Sequence, residues 1–218
     1  MGDDGSGLAS AQEIRAYLVD ELNLALRRPG MYGGEMSIRL IIDHLLFVER
    51  DRRYGLSQVL EERGAWGPTG VTGALRCLLP EDHGLSMASV YAEIARRRGW
   101  LALDRVLDAK EHERMRKTVR EWASRDRVWS DVAAEFGEPS RLFGGTNPLS
   151  GKVLAYATED TGVPMVFLHL WNGTEPGSEP SWPPIHDEPI LLAVRFGERP
   201  FADTFTPEGR RLRPPADN

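Results

Sequence analysis

The chain has 218 residues, 41% apolar and 28% charged, an ordinary globular balance that excludes wholesale disorder. Its 33 acidic residues outnumber 27 basic ones, for a net charge of −6, which argues against a general nucleic-acid binder. No apolar run approaches the roughly 20 residues that span a bilayer, and the acidic, glycine-rich residues 1–7 lack the basic and apolar regions of a secretory signal.

Residues 1–9 are expected to be disordered, and the first helix signal is Ser10-Ala11-Gln12-Glu13, a capping box ahead of Ile14, Leu18, Leu22 and Leu26 at helical spacing. Pro29-Gly30 ends that helix. A second helix is predicted from about Ser37 through Ile38, Ile41, Ile42, Leu45, Leu46 and Val48, apolar over so wide an arc that it is expected at the centre of the helical layer. His44, inside it, reads as a packed histidine and not as a general base, because neighbouring Asp43 points about 100° away. A shorter helix over 56–63 gives way to a Gly, Pro and Thr-rich loop over 64–73. Cys77, alone in the chain and inside the apolar run 74–79, is expected to be a buried, inert thiol, which fits a reducing, cytoplasmic location.

From Ser86, the stripe Val90, Tyr91 and Ile94 predicts another helix, whose end at Arg96-Arg97-Arg98-Gly99 reads as a solvated, dipole-matched terminus. Asp108-Ala109-Lys110-Glu111 is a second capping box, opening a helix with Met115, Val119 and Trp122. Its apolar face continues through Val128, Trp129, Val132 and Phe136 after a break near residues 124–126. Trp66, Trp100, Trp122 and Trp129 all read as core.

The hydrophobic period changes after Phe136-Gly137-Glu138-Pro139, where Gly ends a helix and Pro forbids its continuation. Strands are predicted over 153–158 and 163–171, joined by an Asp160-Thr161-Gly162 turn, and over 190–196 and 201–206. The predicted fold class is α+β: a helical region over 10–137 packed on a small antiparallel sheet over 138–209, one sheet face against the helices and both parts sharing one core. Residues 210–218, polar and proline-rich, are expected to form a flexible tail.

Between the two predicted strand pairs, residues 172–189 form a long proline-rich loop, a length that marks a connection as functional or disordered. No Lys or Arg occurs over 153–194, whereas Glu159, Asp160, Glu175, Glu179, Asp187 and Glu188 all fall there. Such a stretch repels phosphate and attracts a basic protein. Trp182 lies among Ser181, Pro183 and Pro184, where an indole is hard to bury locally, and exposed Trp beside acidic groups is the composition of a binding hot spot.

Two resemblances attach to Arg28-Pro29-Gly30-Met31-Tyr32-Gly33-Gly34. The string resembles a segment of the ATPase subunits of bacterial type II topoisomerases, but that family's Glu and Asn helix, DNGRGIP-like segment and glycine-rich lid have no counterpart, so the ATPase reading is rejected. Structurally, the glycines permit a tight helix–helix turn that Met31 and Tyr32 are expected to pin to the core. Over residues 14–50, a helix, this turn and a second apolar helix in a small acidic chain are similar to immunity proteins encoded beside bacterial polymorphic toxins. That resemblance implies occlusion of a toxin's often basic active site or groove, and it carries no catalytic residue. The helix running through Gly137 and Pro139 into strands also resembles inhibitor-like helix–hairpin modules in architecture.

Other chemistry has thinner support. Gly144-Gly145-Thr146-Asn147 lacks the lysine and the strand-to-helix setting of a phosphate loop, and no nucleophile elbow is present. The five histidines form no paired metal motif; His169, with His186 and Glu188 beyond the loop, is the alternative site, for a small metal-assisted hydrolase. The expected function is therefore non-enzymatic: an immunity-type inhibitor that binds a basic toxin domain through Glu175, Glu179, Trp182, Asp187 and Glu188, with no cofactor, nucleic acid or membrane involved.

Overall fold

The computed structural model describes residues 9–51, 54–80, 83–179, 182–197, 199 and 204–214. The chain is α+β, with eight helices and a four-stranded antiparallel sheet among these residues. The helices are α1 (Ala11–Arg27), α2 (Gly34–Val48), α3 (Leu56–Glu62), α4 (Gly70–Arg76), α5 (His83–Arg97), α6 (Ala109–Trp122), α7 (Trp129–Phe136) and α8 (Pro207–Arg211). The strands are β1 (Arg141–Gly144), β2 (Lys152–Tyr156), β3 (Val166–Trp171) and β4 (Ile190–Phe196), each paired with the next in sequence. No described helix is long and apolar enough to cross a membrane.

The sheet is covered on both faces, not on one as expected. Val153, Ala155, Phe167 and Trp171 join the larger apolar cluster with α1 to α5, while Leu154, Tyr156, Val166, Leu168 and Leu170 join a second cluster with Met115, Val119 and Val132 of α6 and α7. Successive side chains of a strand point to opposite faces, so strands that are apolar at nearly every position need a cover on each side. The helices therefore split into two layers around the sheet, and there are two cores instead of one shared core.

Helix α5, and not α2, is the central helix: every residue from Ser86 to Arg96 is buried. Its polar side chains find partners on the sheet and its borders. The Ser86 hydroxyl meets His169 Nδ1 at 3.2 Å, and Ser89 accepts from Arg195 Nη2 at 3.0 Å. Arg96, expected at a solvated helix end, is buried and donates to the Thr158 carbonyl. Helix α2 instead buries Ile38, Ile42, Leu45 and Leu46 and turns Met36, Leu40 and Phe47 outward, with His44 exposed beside them. Apolar composition around a helix does not say which arc meets the core, and the polar residues of α5 disguised its burial.

Further differences follow from tertiary partners. Residues 70–73, read as the end of a loop, instead open α4, because the Glu35 carboxylate accepts from Val71 N at 2.7 Å and Thr72 N at 2.9 Å at its first turn. Cys77, at the end of α4, is exposed and not buried. The expected flexible tail begins inside α8, where Thr206 Oγ1 caps Gly209 N and Leu212 is 1% exposed. β1 was missed because four residues give too short a period to read. The strand expected over 201–206 falls partly outside the described residues. Its end does run beside β4, with Val194 N donating to Thr204 O and Thr206 N to Leu192 O, each at 2.9 Å. Residues 1–8 and 215–218 also lie outside the described residues.

Candidate functional site

Three segments that are distant in sequence enclose a groove of about 620 Å³. The first is the α1–α2 turn. Met31 N donates to Arg28 O at 2.9 Å and Tyr32 N to Pro29 O at 3.1 Å, closing one 3-10 turn. Gly33 and Gly34, at φ of 82° and 66°, then reverse the chain into α2, a conformation that costs glycine little. Pro29 is buried, but Met31 is 71% exposed and Tyr32 is also exposed, so these two do not pin the turn to the core. The backbone hydrogen bonds and glycines suffice to hold it, which leaves Met31 and the Arg28 guanidinium at the groove.

The second wall is the β1–β2 connection, including Gly144, Gly145, Thr146 and Asn147. Gly144 has φ of 106°, and a side chain there would crowd Leu85, which completes this wall. Asn147 shapes the loop: its Oδ1 accepts from Leu149 N at 2.9 Å and its carbonyl from Ser150 N at 3.1 Å. Lys152, fully buried, donates to the same carbonyl at 3.0 Å and lies 3.8 Å from the centre of the Trp129 ring. Burial pushes the Lys152 ammonium below its usual range.

The third wall follows β3. Asn172, nearly buried, donates from Nδ2 to Leu149 O at 3.0 Å and to His186 O at 2.9 Å, and accepts from His186 N at 3.3 Å. One amide thus ties the β1–β2 connection to the long loop after β3. Trp182 and Pro184 form the rim, and Trp182 is 73% exposed. Arg28 is the single charged side chain lining the groove among the described residues.

The five residues expected to bind a partner divide into two groups. Trp182, Glu179 and Asp187 are exposed. Glu175 and Glu188 are engaged within the chain: Glu175 pairs with Arg211 at 2.6 Å, and Glu188 accepts from Ser130 N at 2.7 Å and Ser130 Oγ at 2.8 Å, capping the first turn of α7. The lysine- and arginine-free stretch is not one surface either. Antiparallel pairing places Glu159 and Asp160 in the β2–β3 connection, at the opposite end of the sheet from residues 172–189.

His169, His186 and Glu188 do not assemble a metal site. His169 is buried on β3 against Ser86, and burial together with the Arg195 charge holds its imidazole well below the ordinary value. Glu188 is occupied by Ser130, and His186 packs edge-on against Trp171 with ring centres 6.0 Å apart. Among the described residues no three His, Cys, Asp or Glu side chains are grouped to hold a metal ion.

Sequence reasoning missed Leu85 and Asn172 as groove residues, since neither has a local signature, and read Arg28 only as the first residue of the helix–helix turn. The one usable signal was glycine density: both glycine-rich strings noted in the sequence contribute to the lining of the groove. No family model, curated protein or solved structure matches the chain.

Proposed function

We propose that this chain is a non-enzymatic protein-binding protein of the immunity type, which neutralises a toxin by docking it at the Trp182 groove. The observation that carries the reading is the exposure of both Trp182 and Met31 on the lining of one groove. A large indole left in water is unfavourable unless a partner covers it, and Trp, Met and Arg are enriched where protein interfaces concentrate their binding energy. The described groove lining offers one guanidinium, amides, hydroxyls and apolar side chains, which suits recognition better than proton transfer. Glu179 and Asp187, exposed on either side of Trp182 in the chain, offer acidic groups to a basic partner.

The test is to recover the partner by co-purification from source cells and to measure its binding rates at two ionic strengths. Trp182→Ala should speed dissociation by a factor corresponding to about 2 kcal/mol or more. Charge reversal at Glu179 and Asp187 should slow association, with the effect shrinking as salt rises. Unchanged rates in all three variants would overturn the assignment.

A further inference from the structure

The helical hairpin α1–α2 is amphipathic twice. Its inward stripe includes Leu22, Leu26, Ile38, Ile42 and Leu45, all buried in the larger core. On α1 a second stripe is exposed at Ile14, Tyr17 and Leu24 and half-buried at Glu21, at spacings of 3, 4 and 3 in the order 14, 17, 21 and 24. On α2 the outward stripe is Met36, Leu40, Asp43 and Phe47, at spacings of 4, 3 and 4. Alternation of 3 and 4 is the period at which a helix offers a seam to another helix. The apolar members of both seams are exposed, Tyr17 at 63% and Phe47 at 68%.

The two seams run in opposite directions along the hairpin. Arg15 Nε bonds Glu49 Oε1 at 2.8 Å, joining the N-terminal end of α1 to the C-terminal end of α2. In an antiparallel hairpin each step forward on one helix matches a step back on the other. That pairing therefore sets the Tyr17 end of the α1 seam beside the Phe47 end of the α2 seam, with Glu21 and Asp43 in the middle of each and Leu24 and Leu40 beyond them. Apolar residues thus flank a carboxylate in each seam, and neither Glu21 nor Asp43 has an ion pair among the described residues.

We propose that this outward face docks an amphipathic helix of another protein, whose apolar stripe carries a lysine or arginine at the level of Glu21 and Asp43. Charge complementarity selects the occupant. A second copy of this chain, laid across the face by a two-fold axis, would bring four carboxylates together between apolar layers, an arrangement that like-charge repulsion disfavours. A cation from a partner helix neutralises both carboxylates, while leucine-like side chains on either side cover Tyr17, Phe47, Leu24 and Leu40. A single polar layer in an apolar seam also fixes the register of the incoming helix. Trp182 takes no part, so this surface stands or falls independently of the groove.

The probes are two synthetic helical peptides of about three heptads with leucine at the seam positions. One carries a central lysine in the seam and its twin a central glutamate there. The lysine peptide should bind the intact chain at least tenfold more tightly than its twin, and the Glu21→Lys/Asp43→Lys variant should reverse that preference. Tyr17→Ser/Phe47→Ser should abolish binding of both peptides, and Trp182→Ala should leave it unchanged. All of these positions are partly or fully exposed, so thermal midpoints close to that of the unaltered chain check that the variants fold. Absence of charge preference, or binding that survives Tyr17→Ser/Phe47→Ser, would overturn the proposal. So would sedimentation showing a dimer of the chain alone that Phe47→Ser dissociates.

Discussion

Replacing Glu35 by glutamine tests how the hairpin is fastened to the body of the molecule. The Glu35 carboxylate accepts three hydrogen bonds, from Val71 N at 2.7 Å, Thr72 N at 2.9 Å and the Tyr91 hydroxyl at 2.8 Å. It therefore joins α2 to the first turn of α4 and to the central helix α5. Glutamine has nearly the same shape but only one acceptor oxygen, so its NH2 group must face a donor. One carboxylate hydrogen bond is lost and one donor is left without an acceptor, a cost of about 2–4 kcal/mol. For a chain of this length each kcal/mol lowers the thermal midpoint by about 2–4 °C, giving a fall of roughly 5–15 °C. Urea unfolding should show a lower midpoint with an unchanged slope, because the buried surface is the same. Tyr91→Phe should cost only about 1 kcal/mol, since the carboxylate keeps both backbone donors. In the Glu35→Gln background it should cost less, the signature of a shared network. A glutamine variant within about 0.5 kcal/mol of the unaltered chain, the usual range for inconsequential surface changes, would refute this account of the α2–α4–α5 junction.

Four further outcomes are expected. Leu212→Ala should cost about 2–5 kcal/mol in urea unfolding, as for a buried leucine, whereas a flexible tail would give no change. Cys77 should react with a thiol reagent in the native protein without denaturant, because it is exposed. His169 and His112 both have imidazoles held below the ordinary 6.5, by burial first, and then by the Arg195 charge at His169 and the Arg116 charge at His112. The native state then binds fewer protons than the unfolded state, so their contribution to stability is complete above 6.5 and is lost as pH falls below it. The urea midpoint should decline on acidification below that value, and His169→Gln should flatten the decline. His44→Ala should leave stability within about 0.5 kcal/mol, because the side chain is exposed on α2; a large loss would mean that its surroundings are misjudged.

Much of the fold was legible in the sequence because local rules and tertiary packing agree there. The Ser10–Glu13 capping box opens α1 as the side-chain spacing requires, Asp108 caps α6, and Gly137 ends α7 where the hydrophobic period changes. The runs Val153-Leu154-Ala155-Tyr156 and Val166-Phe167-Leu168 also carried more than was read from them: strands without polar alternation are buried on both faces, which implies a helical layer on each side. Trp182 was likewise readable as exposed, since prolines on its C-terminal side deny it a regular packing partner. What tertiary structure alone decided is where polar groups find their partners and which apolar arc meets the core. Ser86, Glu93 and Arg96 make α5 look like a surface helix until His169, Met165 N and the Thr158 carbonyl are placed against them. Glu175 and Glu188 look like free acids of a docking loop until Arg211 and Ser130 arrive from elsewhere in the chain. A hydrogen bond or ion pair between residues far apart in sequence leaves no local pattern, and hydrophobic periodicity records that a helix has an apolar face without saying whether this chain or another covers it.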